Sequence, residues 1–158
     1  MLQNHDIRRI VQDFLDLLEA AQPAVDAEQR LGLVLDQLAL AQHFVEYDFD
    51  SKEHGEAPRR DYDELRRLAA QAFPDFGYYN VALPLLEEIG NAQCGVGDAI
   101  DDLADIARDL YDVAWRWSNT SVDDALFHFQ HGFRAHWRDH VRGLQLYLAA
   151  RAGAEAPR

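Results

Sequence analysis

A chain of 158 residues, 48% hydrophobic and 11% aromatic, is long enough for one compact core and too apolar for intrinsic disorder. Its 28 Asp and Glu against 15 Lys and Arg give a net charge of −13. That charge argues against nucleic acid and anionic membrane surfaces as partners, because a phosphate-binding protein needs Lys and Arg to displace counterions. It favours solubility or a basic protein partner, and it leaves self-association open.

No run approaches the ~18–20 apolar residues that span a bilayer. The N-terminal segment carries Asp and Glu within its apolar periodicity, unlike a signal peptide. Cys94 is the only cysteine, which excludes an internal disulfide and a thiolate cluster and fits a cytoplasmic location. One domain is expected over residues 1–150, followed by a frayed tail at 151–158 that contains Gly153 and Pro157.

In chain order, Ile7, Ile10, Val11, Phe14, Leu17, Leu18 and Ala21 recur at helical spacing, with Asn4 or Asp6 as cap and Pro23 as stop. A second helix spans about Asp26 to Tyr47, with Leu31, Val34, Leu35 and Leu38 on its inner stripe and His43 outside. The polar stretch Asp48 to Arg60 reads as a mobile surface loop, with a lid as the alternative. Asp61 and Glu64 resemble a capping box for a third helix that ends before Pro74. Phe76, Tyr78, Tyr79, Val81 and Leu83 then make an aromatic loop expected to lie on the core. Pro84 to Gly90 reads as a short helix, and the glycine-rich GNAQCGVGD as a turn without a phosphate-binding pattern.

Two long helices complete the chain. The first runs from Asp98 to Trp117 and the second from Ser121 to Ala150, with a kink expected near Gly132 or Gly143. On the first, Leu103, Ile106, Ala107 and Leu110 define a broad apolar arc, while Asp98, Asp101, Asp102, Asp105, Asp109 and Asp112 stack in a narrow stripe. The plain reading of that stripe is a solvated face with N-terminal capping. The alternative is a divalent-cation site, since closely set carboxylates suit Mg²⁺ or Mn²⁺. DDLAD also has a likeness to the acidic helix of all-α nucleoside triphosphate pyrophosphatases, with Glu87 and Glu88 as the second pair, but the ExxE pattern is absent.

On the last helix, with Phe129 at 0°, His136 falls at about −20° and His140 at about +20°, the centre of the buried face. His136 and His140 stand at i and i+4, the spacing at which one helix offers two imidazoles to one metal, and Asp102 and Asp109 border the facing arc. Core hydrogen bonding to a carboxylate, a carbonyl or the hydroxyl of Tyr78 or Tyr79 is the plainer account. Ser51, Ser118, Ser121 and Cys94 carry no nucleophile motif.

The phrases FPDFGYYN at 73–80, DDLADIARDL at 101–110 and HFQHGFRAHWRDH at 128–140 resemble the bacterial family called domain of unknown function 5063, over roughly residues 5–150. The resemblance implies an all-helical bacterial protein and brings no activity or catalytic residue. The expected architecture is all-α, an antiparallel bundle of about five main helices plus one short one, with the 98–117 helix central. Two functions are weighed: an accessory factor acting through contact with another protein, and a metal binder or metal-dependent enzyme built on His136, His140, Asp102 and Asp109.

Overall fold

The computed structural model describes residues 2–155, and those residues form a predominantly helical bundle. Helices α1 (Asn4–Glu19), α2 (Ala27–Ala41) and α3 (Tyr62–Ala72) precede a hairpin of β1 (Tyr78–Leu83) and β2 (Gln93–Asp98). Helices α4 (Ala99–Asn119), α5 (Val122–Gly132) and α6 (Arg138–Glu155) come after it, with a π-helical turn over Phe133–Trp137 joining α5 to α6. Counted as rods, α1, α2, α3, α4 and the α5–α6 unit make five. No helix among the described residues is long and apolar enough to cross a membrane.

Most of the α1 stripe is buried as its periodicity demands: Ile7, Ile10, Val11, Phe14, Leu17 and Leu18 lie in the core, with Leu15 beside them, whereas Ala21 lies exposed beyond the helix end at Glu19. The backbone N–H of Gln3 donates to Asp6, so the helix starts two residues before Asp6. Helix α2 stops at Ala41, short of Tyr47, and leaves His43 exposed. Asp61 accepts from the Glu64 N–H at 2.9 Å to start α3, Asp98 accepts from Ile100 N–H at 2.9 Å to start α4, and Ser121 Oγ accepts from Asp124 N–H at 3.1 Å to start α5. Each cap satisfies a donor that has no partner within its helix. Helix α4 packs against α1, α3, α5 and α6, so the 98–117 segment is central.

Between α3 and α4, three local expectations fail. Residues 84–90 are not a helix but the bent connection of the β-hairpin, where Glu88 and Gly90 take positive φ of 52° and 83°, incompatible with a right-handed helix. GNAQCGVGD is a turn only at Gly90 and Asn91, because 93–98 pair with 78–83 in antiparallel register, Tyr79 opposite Gly97 and Leu83 opposite Gln93. The aromatic stretch lies only partly on the core: Phe76 is buried, Tyr79 half-buried and Tyr78 exposed, the alternation of a strand rather than a packed loop.

Residues 48–60 form no regular element, yet they are tied down at one end of the bundle. Asp123 accepts from the backbone N–H of Asp48 at 3.2 Å, Asp50 pairs with His54 at 2.7 Å, and the Ser121 hydroxyl donates to Asp50. Helix α6 continues past Arg151, where the sequence suggests a frayed tail, because Arg151 makes a two-point ion pair with Glu28 at 3.0 and 2.7 Å. Residues 156–158 of that expected tail lie outside the described residues.

Candidate metal centre

The acidic stripe of α4 is not a free solvated face. Asp101 pairs with Arg66, Asp102 with His140 and Tyr79, Asp105 with Arg108, Asp109 with His136, and Asp112 with Arg116. Like charges at i, i+3 and i+4 repel by a few tenths of a kcal/mol when exposed. Here Arg108 and Arg116 of α4 itself and donors from α3, β1, the π turn and α6 meet them, and Asp102 is 7% exposed.

The two histidines also sit differently from an unbroken α-helical projection. That projection places them at the centre of the buried face with Phe129, Phe133 and Trp137. The three aromatic residues are indeed buried, but the His136 and His140 side chains are 36% and 27% exposed. The π turn over 133–137 accommodates an extra residue and rotates the helix beyond it. The imidazoles therefore lie along the seam between α6 and the aspartate stripe of α4. His131 is exposed as expected, whereas His128 lies 3.7 Å from Asp112 and 3.6 Å from Asp124.

Within the seam, His140 Nδ1 is 2.7 Å from Asp102 Oδ1 and His136 Nδ1 is 2.8 Å from Asp109 Oδ2. An ionised carboxylate only accepts, so each Nδ1 carries the proton and each neutral ring keeps Nε2 as an acceptor. Both Nε2 atoms turn toward Asp105, His140 to Oδ2 at 3.7 Å and His136 to Oδ1 at 3.9 Å. One ligand atom from each of Asp105, His136 and His140 lies within 4.8 Å of the others. The hydrogen bond to Asp102 raises the His140 pKa above its ordinary 6.5, with burial opposing and Asp105 adding to the rise.

Tyr79 supports this arrangement from β1. Its ring covers Gly97 on the paired strand and its hydroxyl approaches Gly143 on α6, two positions where a Cβ would collide with it. The close approach lets the hydroxyl donate to Asp102, and burial together with that carboxylate raises the phenol pKa. Gly143 thus admits a tyrosine rather than bending the helix. Arg108 completes the group: Nη2 lies 2.9 Å from Asp105 Oδ1 and 3.3 Å from His136 Nε2. Its guanidinium bridges those two groups.

All four residues singled out in the sequence, Asp102, Asp109, His136 and His140, come together. Their roles divide, because Asp102 and Asp109 hold the Nδ1 side of the rings while Asp105 faces the Nε2 atoms, of which that of His136 also meets Arg108. Arg108 escapes sequence reasoning, and Asp105 is read there only as one member of the acidic stripe, although Asp102, Asp105 and Asp109 share the i, i+3, i+7 spacing of one helix face. Glu87 and Glu88 lie in the hairpin connection, so they do not form a second acidic helix. Ser121 Oγ meets Asp50, and His54 meets the same carboxylate, so the serine is not activated by an imidazole.

No family model matches the chain, and no curated protein is similar to it. Among solved structures, the chain is similar to the crystal structure of protein BF1032 from Bacteroides fragilis, at 18% identity and a TM-score of 0.73. The similarity covers 99% of this chain and 95% of that one. At such identity the likeness concerns the fold.

Proposed function

We propose that the protein binds one divalent transition-metal ion through Nε2 of His136, Nε2 of His140 and a carboxylate oxygen of Asp105. The observation that carries this reading is the convergence of those three ligands while Asp102 and Asp109 hold both Nδ1 atoms. Carboxylate support of this kind sets the tautomer, aims the free nitrogen and raises its basicity. Two imidazole ligands favour Zn²⁺ or a neighbouring first-row ion over Mg²⁺ or Ca²⁺. Three protein ligands leave coordination positions for water, as in a reactive rather than a closed structural site. A pyrophosphatase-like, Mg²⁺-dependent activity has weaker support, because Glu87 and Glu88 do not offer the second acidic helix.

Metal analysis of protein purified without a histidine tag tests the proposal. About one equivalent of bound metal is expected, lost in His136→Ala/His140→Ala. Less than about a tenth of an equivalent, with no thermal shift on adding Zn²⁺, Mn²⁺ or Co²⁺, would falsify it.

Contact with a basic protein partner is a second reading, favoured by an acid-rimmed cleft on another face, between α2 and α6. A cytoplasmic location and kinship with domain of unknown function 5063 belong to the same proposal, supported by the lone Cys94 and by the three sequence phrases.

A further inference from the structure

The cleft between α2, the Phe73–Phe76 turn and α6 has a volume of about 1000 Å³. Its floor is apolar, with Phe73, Phe76 and Leu148 among the lining residues, and its more exposed edge carries Ala152, Asp26, Glu28, Asp36 and Asp75. We infer that this cleft docks a basic amphipathic helix of a partner protein. The inference specifies the occupant for the partner reading and shares no residue with the proposed metal centre.

The molecule already displays the recognition chemistry in one place. The Arg151 guanidinium lies 5.3 Å from the Phe76 ring centroid, donates to both oxygens of Glu28 and donates to the Asp75 carbonyl at 3.2 Å. A cation over an aromatic floor, held by the carboxylate rim, is what a Lys or Arg flanking an apolar helix face would repeat. Among the described residues, Asp26, Asp36 and Asp75 have no Lys or Arg salt-bridge partner.

Charge selects the type of partner. A second copy of this chain brings another −13 and is repelled, whereas a basic helix is attracted and steered. The walls select its conformation. Helices α2 and α6 spend their backbone groups internally, so an extended peptide would find no ladder beside them. A helix satisfies its own backbone and presents apolar side chains at i, i+3, i+4 and i+7 to a groove.

The test uses the full chain in EDTA and a fluorescein-labelled helical peptide of Leu and Lys, Leu on one face, beside a scrambled peptide of the same composition. Anisotropy titration is expected to give at least about tenfold tighter binding of the amphipathic peptide. Ala152→Trp keeps the charge, fills the cleft at an exposed position and is expected to weaken binding at least about tenfold; Ala149→Trp serves if that variant does not fold. Asp26→Lys/Asp36→Lys should weaken binding and flatten its salt dependence. His136→Ala/His140→Ala should bind as the parent does, which separates this outcome from that of the metal reading. Equal binding of the scrambled peptide, or unchanged binding by the folded cleft-filling variant, overturns the inference. So does a parent dimer that the cleft-filling variant dissociates, since a second copy would then be the occupant.

Discussion

Aspartates occupy two faces of this bundle and do different work on each. On α4, Asp102, Asp105 and Asp109 are drawn into contacts with imidazoles, a phenol and a guanidinium. At the rim of the α2–α6 cleft, Asp26 and Asp75 are exposed, and Asp36 accepts from Gln145 at 2.7 Å. Residue type is the same in both places. What differs is the surroundings: β1, the π turn and α6 bring a phenol and two imidazoles to the first group, beside Arg108 of α4 itself, while the second frames an apolar hollow.

The largest expected effect breaks the first group at its most buried member. Asp102→Ala leaves His140 Nδ1 and the Tyr79 hydroxyl without their acceptor, and should cost about 2–4 kcal/mol in urea unfolding. Asp36→Ala at the cleft should stay within about 0.5 kcal/mol. Equal losses at the two positions would erase the distinction between the faces.

Gly143→Ala comes next. A Cβ at Gly143 meets the Tyr79 hydroxyl, so strand or helix must shift, at a cost of about 1–3 kcal/mol. The same change is expected to weaken the hold on Asp102 and thereby metal affinity. Retention of both full stability and full metal affinity would show that Tyr79 has no part in the arrangement.

The pH response sharpens the contrast further. His140 gains protons in the folded state, with its pKa raised above 6.5 first by the Asp102 hydrogen bond, against burial, and then by the charges of Asp102, Asp105 and Asp139. A raised pKa contributes stability that is complete below 6.5 and is lost as pH rises through the folded value. In EDTA, the urea midpoint should therefore decline as pH rises above 6.5, and His140→Gln should flatten that decline. Metal affinity should rise over the same interval, because the metal and the proton compete for the ring.

The smallest stability effect is expected at Arg108. Its ion pair with Asp105 is partly exposed, and Arg108→Ala should cost no more than about 1 kcal/mol. Removing the guanidinium should nevertheless strengthen metal binding, since a positive charge 3.3 Å from His136 Nε2 opposes an incoming cation. Isothermal titration with Zn²⁺ distinguishes the two roles. Weaker binding in this variant would instead mark Arg108 as a positioning residue that holds Asp105 and His136 for the ion.

Several features were legible because they are local. The α1 stripe, the cap at Asp61 and the central place of α4 come from periodicity and from donor accounting along a few residues. The hairpin was not legible. YYNVAL and QCGVGD are short, and QCGVGD carries two glycines, so neither announces a strand until the other is beside it. The π turn was hidden for a related reason: a regular 3.6-residue projection cannot register one extra residue, and that residue moved His136 and His140 from the expected core to the seam.

By itself, the sequence determined the helical class, the core stripes, the acidic character and the four residues Asp102, Asp109, His136 and His140 as a group worth joining. Only the tertiary structure decided which atoms of those residues meet, that Asp105 and Arg108 stand between them, and that Tyr79 reaches Asp102 over two glycines. Periodicity reports the face on which a side chain lies, because helix geometry repeats. It does not report the partner across an interface, because axial offset, rotation and a single π turn are set by packing of the whole bundle.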